Sequence, residues 1–135
     1  MNESRKLDDV LDDYLAAVNE RDATARQELI ARCVCSEFVF ATGSGRFVGH
    51  AEFNKAIADV HELLPPDAVL IRCTPVEERH GALRFGWQFV DRATGHPYDD
   101  HPFAAYLRGM DFARVGKDGL LQEVTVFYEA GLALD

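Results

Sequence analysis

One acidic residue, Asp111, lies in a stretch that otherwise has the pattern of an apolar strand face. Within residues 104–116, strict alternation places Asp111 on the same side as Gly109 and Ala113. If that side is the concave face of a sheet, desolvation raises the pKa of the carboxyl, and the protonated form can donate a hydrogen bond or a proton. If it is the outer face, Asp111 is an ordinary solvated or ion-paired residue. Alternation alone leaves both interpretations open.

The preceding strand segment, residues 82–92, has an unusually aromatic face. Alternation groups Phe85, Trp87 and Phe89 with Leu83 on one side of it. These rings either form plain core or line a concave apolar cavity, because large rings leave shaped gaps when a sheet curves.

Two histidines and one arginine could add chemistry to such a cavity. His50 and His61 flank an apolar helix that contains Ile57, and the surface of that helix is their default position; a histidine that faced the cavity could act as a base. Arg72 interrupts an apolar strand. It could pair with Asp111 or bind an anionic ligand, although the pattern favours an outward-facing charge.

The remaining motifs predict neither a metal site nor a cofactor. His96-Pro97-Tyr98-Asp99-Asp100-His101 has imidazoles and carboxylates, but its prolines and charges indicate an exposed loop, and no third ligand group is placed. Gly43-Ser44-Gly45 lacks the lysine and helix of a phosphate loop. The three cysteines, Cys33, Cys35 and Cys73, match neither a disulfide framework nor a zinc knuckle and are interpreted as reduced thiols.

Periodicity places these residues on three helices, with two short strands before the third helix and a run of longer strands after it. Apolar residues at helical spacing predict helices at about 5–20, 23–31 and 50–64, and alternation predicts strands at about 37–42, 46–49, 67–79, 82–92, 104–116 and 119–129. Helices that precede long antiparallel strands predict an α+β fold in which the helices pack on one face of a strongly bent sheet. The 135 residues fit one domain.

Charge and hydropathy limit the partners. With 23 acidic and 14 basic side chains, the net charge of −9 repels phosphate backbones and anionic lipid headgroups, so neither nucleic acid nor a membrane surface is expected as a partner. There is no apolar run of about 18 residues and no secretion signal at the N-terminus, which predicts a cytoplasmic protein.

Several segments resemble the nuclear-transport-factor-2-like superfamily, and within it the ketosteroid isomerases and SnoaL-like polyketide cyclases. The matching segments are Tyr14-Leu15-Ala16-Ala17-Val18-Asn19-Glu20-Arg21-Asp22, Phe47-Val48-Gly49-His50, Thr74-Pro75-Val76 in a strand, and Gly109-Met110-Asp111-Phe112-Ala113-Arg114-Val115 running into Asp118-Gly119-Leu120-Leu121. Their order and spacing cover nearly the whole chain. The resemblance implies a cone with a pocket at its open end, and a homodimer.

The resemblance also assigns roles to individual residues. Tyr14 and Asp111 match the tyrosine and aspartic acid that form the oxyanion hole of ketosteroid isomerases, a family that serves as the standard example of an aspartic acid kept neutral by its site. Phe40 occupies the position of the general base, and a phenyl ring accepts no proton, so true ketosteroid isomerase activity is not expected. SnoaL-like cyclases resemble this chain in using a late-strand aspartic acid as a proton donor in an aldol-type ring closure.

These observations predict a cofactor-independent isomerase, cyclase or dehydratase that acts on a small hydrophobic carbonyl compound, with Asp111 and Tyr14 as catalytic residues. The residues expected to line its pocket are Phe40, Phe53, Ile57, His61, Phe85, Trp87 and Phe89. The alternative is a non-catalytic binding or assembly domain of the same fold. A histidine or carboxylate near the space between Tyr14 and Asp111 would favour chemistry, and an apolar surround would favour binding alone.

Overall fold

Three helices form one layer of the protein. The computed structural model describes residues 6–129 and contains α1 (Leu7–Asn19), α2 (Ala23–Cys33) and α3 (Gly49–Leu63). Asp22 caps α2 by accepting a hydrogen bond from the backbone N–H of Ala25 at 2.8 Å. Helix α3 ends just before Pro65 and Pro66, which cannot continue a helix. No helix among residues 6–129 is long and apolar enough to cross a bilayer.

Seven strands form one curved sheet under these helices. They are β1 (Val34–Thr42), β2 (Gly45–Val48), β3 (Ala68–Arg72), β4 (Glu77–Arg79), β5 (Ala82–Asp91), β6 (Arg108–Val115) and β7 (Leu121–Tyr128). The order is β2-β1-β7-β6-β5-β3, with β4 paired to β5, and every pairing is antiparallel except that of β1 with β7. The predicted α+β fold with a mostly antiparallel sheet is confirmed.

Two predicted strands are shorter than the sequence pattern indicated. The segment 67–79 is interrupted between β3 and β4, so Thr74-Pro75-Val76 lies outside the strands. Pro75 has no N–H to offer a ladder, and the Thr74 hydroxyl instead accepts a hydrogen bond from the backbone N–H of Gly86 at 2.7 Å. The segment 104–116 begins with a short 3₁₀ turn, Ala104–Tyr106, and pairs only from Arg108 onward.

The core lies between the helices and the inner face of the sheet. Leu83, Phe85, Trp87 and Phe89 of β5 are all buried there, as alternation predicted. The helices bring their own apolar residues onto this face, including Tyr14 of α1 and Phe53 of α3.

A buried arginine joins the three helices. Arg26 of α2 donates through Nε to the Glu20 carbonyl at 2.9 Å and through Nη1 to Asn54 Oδ1 of α3 at 2.7 Å. Among residues 6–129, Arg26 and Asp111 are the two charged residues that are buried. Arg26 thus fixes α1, which presents Tyr14 to the core, against α2 and α3.

The outer face of the sheet retains large exposed side chains. Phe112 of β6 and Phe127 of β7 are 44% and 49% exposed, and their rings meet edge to face with centroids 5.4 Å apart. Ion pairs flank them, Arg84 with Glu77 at 2.6 Å and Arg114 with Glu123 at 3.8 Å. This face is therefore partly apolar and carries charges of both signs.

Candidate functional site

Asp111 lies on the inner, concave face of the sheet. It is in the middle of β6, opposite Phe85 of β5 and Val126 of β7, and is 3% exposed. Of the two interpretations of Asp111, the structure therefore selects the buried one. A carboxyl group in this position is surrounded by apolar side chains.

Two buried polar atoms near the centre of the sheet lack hydrogen-bond partners. They are Asp111 Oδ1 and Trp87 Nε1. Trp87 lies on β5 opposite Gly109, so it is the diagonal neighbour of Asp111 on the same face. Buried polar groups without a partner are rare in folded proteins and cost free energy, so each requires an explanation.

Burial raises the pKa of Asp111 from its usual 3.8 to about 8, because a charged carboxylate is poorly solvated in this core. The indole N–H of Trp87 interacts weakly with the carboxyl and lowers the pKa, although the contact does not have the geometry of a hydrogen bond. The protonated form of Asp111 therefore predominates at neutral pH, and the carboxylate forms at a slightly higher pH.

Two tyrosines share this environment. Burial is the main cause that raises the pKa of Tyr14, followed by the negative charge of Asp111. The pKa of Tyr128 is also raised by burial, an effect that the Thr42 hydroxyl opposes and the Asp111 charge reinforces. The structure therefore brings Tyr14 and Asp111 into the same electrostatic neighbourhood.

Tyr128 is a candidate site residue that sequence reasoning missed. Its ring packs edge to face against Trp87, with centroids 5.9 Å apart. It also packs against the half-exposed ring of Tyr106, and the centroids of these two rings are 5.7 Å apart. Alternation from Val124 and Val126 along β7 was the signal that could have placed Tyr128 on the inner face.

The predicted pocket residues fall into two neighbouring groups. Phe40, Phe53, Ile57 and Phe85 belong to one buried cluster, and Trp87 and Phe89 belong to another. Phe40 packs 4.8 Å from Phe53, ring to ring, and is 8% exposed. Phe40, which the resemblance matches to the general base of ketosteroid isomerases, thus belongs to a cluster of aromatic rings.

Both candidate histidines, His50 and His61, contact groups other than Asp111. His61 lies among the helices, with Nε2 2.6 Å from the Val18 carbonyl and Nδ1 3.3 Å from Arg26 Nη2, and burial lowers its pKa. His50 Nε2 lies 3.0 Å from the backbone carbonyls of Val34 and Cys35. Phe53 and Ile57 of α3 belong to the buried apolar core, whereas His61 supports the helix packing.

Arg72 does not project outward as the sequence pattern favoured. It is paired with Trp87 across β3 and β5, so both side chains lie on the inner face. The Arg72 guanidinium is 3.9 Å from Asp8, and its Nη1 is buried without a hydrogen-bond partner. Arg72 lies on β3 at the edge of the sheet, and β5 separates it from Asp111 on β6.

Two open cavities lie away from Asp111. One, about 520 Å³, is formed by the loop His96–His101, and the other, about 410 Å³, is lined by Thr74, Pro75, Glu77, Arg84 and Met110. Within residues 6–129, no group of three or more His, Cys, Asp or Glu residues is placed to hold a metal ion. Asp111 itself is buried and lines neither cavity.

Comparisons with solved structures identify the fold. A SnoaL-like protein from Agrobacterium tumefaciens, named provisionally as an isomerase, superposes with a TM-score of 0.73 at 19% identity, over 89% of this chain and 94% of that one. A protein from Sinorhizobium meliloti, named provisionally as a polyketide cyclase, gives 0.60 at 12% identity over 88% and 94%. A SnoaL-like protein of unknown function from Burkholderia thailandensis gives 0.61 at 12% identity over 90% and 93%. No protein-family model and no curated protein matches the sequence.

These likenesses confirm the expected fold. The chain has the nuclear-transport-factor-2-like architecture shared by SnoaL-like proteins. At these identities they establish the fold alone, and the chemistry has to be argued from the site.

Proposed function

We propose that the protein is a cofactor-independent acid–base enzyme that moves a proton within a small, apolar carbonyl compound. The observation that carries the proposal is Asp111, a buried carboxyl group with an unpartnered oxygen and a pKa near the working pH of an enzyme. A general acid or base is most efficient when its pKa lies close to that pH.

Asp111 is assigned the roles of both base and acid, because the candidate bases His50 and His61 contact backbone carbonyls of Val34 and Val18 instead. The ionised carboxylate removes a proton from the carbon next to the substrate carbonyl, which gives an enolate and protonated Asp111. The acid then returns the proton to a different carbon, which completes an isomerisation. In a ring closure the enolate carbon instead attacks the carbon of a second carbonyl group in the same molecule, and protonated Asp111 gives its proton to the oxygen of that second carbonyl.

Tyr14 is proposed as a positioning and donor residue for the substrate. Its ring is stacked on Phe53, at 6.0 Å and 10°, so the side chain is held firmly. The aromatic and aliphatic side chains around it favour an apolar substrate body. Provisional isomerase and cyclase names among proteins of the same fold agree with this chemistry.

The competing function is binding without catalysis. It is favoured by Phe40, which fills the position of the general base with a phenyl ring, and by the engagement of His61 in the helix packing. In that case Asp111 and Trp87 would hold a ligand and no proton would move.

Exchange of substrate protons with solvent distinguishes these functions. We expect the wild-type protein in D₂O to accelerate loss of the α-proton signals of an apolar ketone such as 2-tetralone, followed by NMR. A positioned acid–base group contributes about 10²- to 10⁴-fold, so Asp111→Asn is expected to remove nearly all of the acceleration. Equal exchange rates in the wild type and Asp111→Asn would leave binding as the function.

We also propose that two copies associate through the outer face of β6 and β7. The exposed pair Phe112 and Phe127 offers apolar surface, and its flanking ion pairs carry both signs. On a chain with a net charge of −9, a locally balanced face lets two copies approach with little repulsion. The association is symmetric, because the same patch serves both copies.

Sedimentation tests this association. We expect the wild type to sediment as a dimer and Phe127→Glu as a monomer, because two buried carboxylates would face the apolar patch. Leu63→Glu is the matched control, since Leu63 is an 83% exposed apolar residue on α3 and its replacement leaves the dimer intact. A wild type that remains monomeric at high concentration would contradict the proposal.

A further inference from the structure

We propose that the indole N–H of Trp87 and the protonated carboxyl group of Asp111 bind the same oxygen atom of the ligand, so that Trp87 is a further donor to the reacting oxygen besides Asp111 and Tyr14. The inference rests on the proposed function, which supplies the carbonyl compound. It adds a role for Trp87 that neither its aromatic character nor the resemblance assigns.

The two groups are arranged as a pair. Trp87 and Asp111 are 4% and 3% exposed, lie on adjacent strands, and share the inner face of the sheet. Both Trp87 Nε1 and Asp111 Oδ1 are buried without a partner. Trp87 is paired with Gly109 and Phe85 with Asp111, so the side chains of Trp87 and Asp111 are diagonal neighbours on this face.

The indole is held in this position from several sides. A Cβ atom on Gly109 would lie 2.8 Å from Trp87 Cζ2, so the absence of a side chain at residue 109 leaves room for the ring across β6. Phe89 and Tyr128 pack against the ring edge to face, each with centroids 5.9 Å away. A donor fixed in this way loses little entropy when it binds a ligand.

The chemistry of the pair selects its ligand. An indole N–H only donates, and neutral Asp111 donates through its O–H. Asp111 carries this O–H once it has removed the α-proton, and the O–H and the indole N–H then both donate to the enolate oxygen, whose charge they stabilise. The surrounding Phe85, Phe89 and Val126 side chains fit an aromatic or alicyclic body on that carbonyl.

A one-atom replacement tests the donor directly. Trp87 is the only tryptophan in the chain. Producing the protein with benzothienylalanine in place of tryptophan therefore exchanges the N–H for a sulfur at this position alone and keeps the ring shape. The probe is 4-nitrophenol, whose absorbance reports its binding and ionisation.

We expect the replacement to weaken 4-nitrophenol binding about tenfold to a hundredfold, the usual range for a hydrogen bond to a charged oxygen. A thermal melt of the replaced protein verifies its fold. Tyr98→Phe is the matched control, because it removes a hydroxyl that lies 3.5 Å from Asp91 rather than at the site. Its affinity for the probe is expected to equal that of the wild type.

The unmodified protein provides an independent measurement. Its NMR spectrum contains one indole N–H signal, which we expect to move downfield on saturation with 4-nitrophenol. Unchanged affinity in the replaced protein, a stationary indole signal, or no binding of 4-nitrophenol at millimolar concentration would each overturn the proposal. A protein that passes these tests but exchanges 2-tetralone protons no faster than Asp111→Asn would refute the enzymatic function and leave the oxygen site in place.

Discussion

Replacing Asp111 with asparagine is expected to stabilise the protein at pH 7 while it removes proton transfer. The amide has nearly the shape of the protonated acid but never ionises. The native carboxyl has a pKa of about 8 against a usual value of 3.8. Above about pH 4, ionisation of Asp111 lowers the free energy of the unfolded chain, whereas the native carboxyl stays protonated. The stability of the wild type therefore declines as the pH rises towards 8.

The size of this change in stability follows from the shift in the pKa of Asp111. Each pKa unit corresponds to about 1.4 kcal/mol, so ionisation in the unfolded state costs the wild type up to about 4 kcal/mol of stability at pH 7. Urea unfolding at several pH values measures it. We expect the free energies of unfolding of Asp111→Asn and the wild type to be similar at pH 4 and to diverge as the pH rises.

The control is Asp9→Asn, which changes an exposed carboxylate on α1. We expect it to leave the pH dependence as it is in the wild type. A stability difference between Asp111→Asn and the wild type that is the same at every pH would show that the Asp111 carboxyl is ionised in the native protein, which would also remove its role as an acid.

Arg26→Leu is expected to give the largest loss of stability among single substitutions outside the candidate site. The guanidinium donates to the carbonyls of Glu20 and Arg21 and to Asn54 Oδ1. Leucine leaves these partly buried acceptors without their donor, and it removes the hydrogen bond between α2 and α3. We expect a loss of about 1 to 3 kcal/mol, the usual cost of a hydrogen-bonding group that loses its partner.

Urea unfolding near neutral pH measures this loss. Arg79→Leu is the matched control, because Arg79 is 75% exposed and its ion pair with Glu77 is 3.7 Å long, and we expect it to change stability by less than about 1 kcal/mol. An Arg26→Leu protein as stable as this control would show that the helix layer is held by apolar packing alone.

The elements followed from local patterns, and the site depended on contacts distant in sequence. Alternation grouped Trp87 with Phe85 and Phe89 correctly, because the two sides of a strand are fixed by a period of two. Alternation could not decide whether the side of β6 that carries Asp111 faces the core or the solvent, because that depends on where α1 and α3 pack. The resemblance to ketosteroid isomerases, rather than periodicity, singled out Tyr14 and Asp111.

Three residues show where sequence reasoning ended. His61 was expected in the pocket because it follows Ile57 and Val60 on α3, yet the buried guanidinium of Arg26 and the Val18 carbonyl bind its ring among the helices. Arg72 was expected to point outward, but its register opposite Trp87 turns it inward. Tyr128 was missed because its contacts with Trp87 and Tyr106 join residues from three separate segments.

The measurement that tests the central claim most directly is a pH titration of the fluorescence of Trp87, the only tryptophan, which adjoins Asp111. We predict one change in emission with a midpoint near pH 8 in the wild type, and none at that pH in Asp111→Asn. An emission that stays constant between about pH 6 and pH 9, or one that changes equally in both proteins, would contradict the assignment of Asp111 as a buried acid poised for proton transfer.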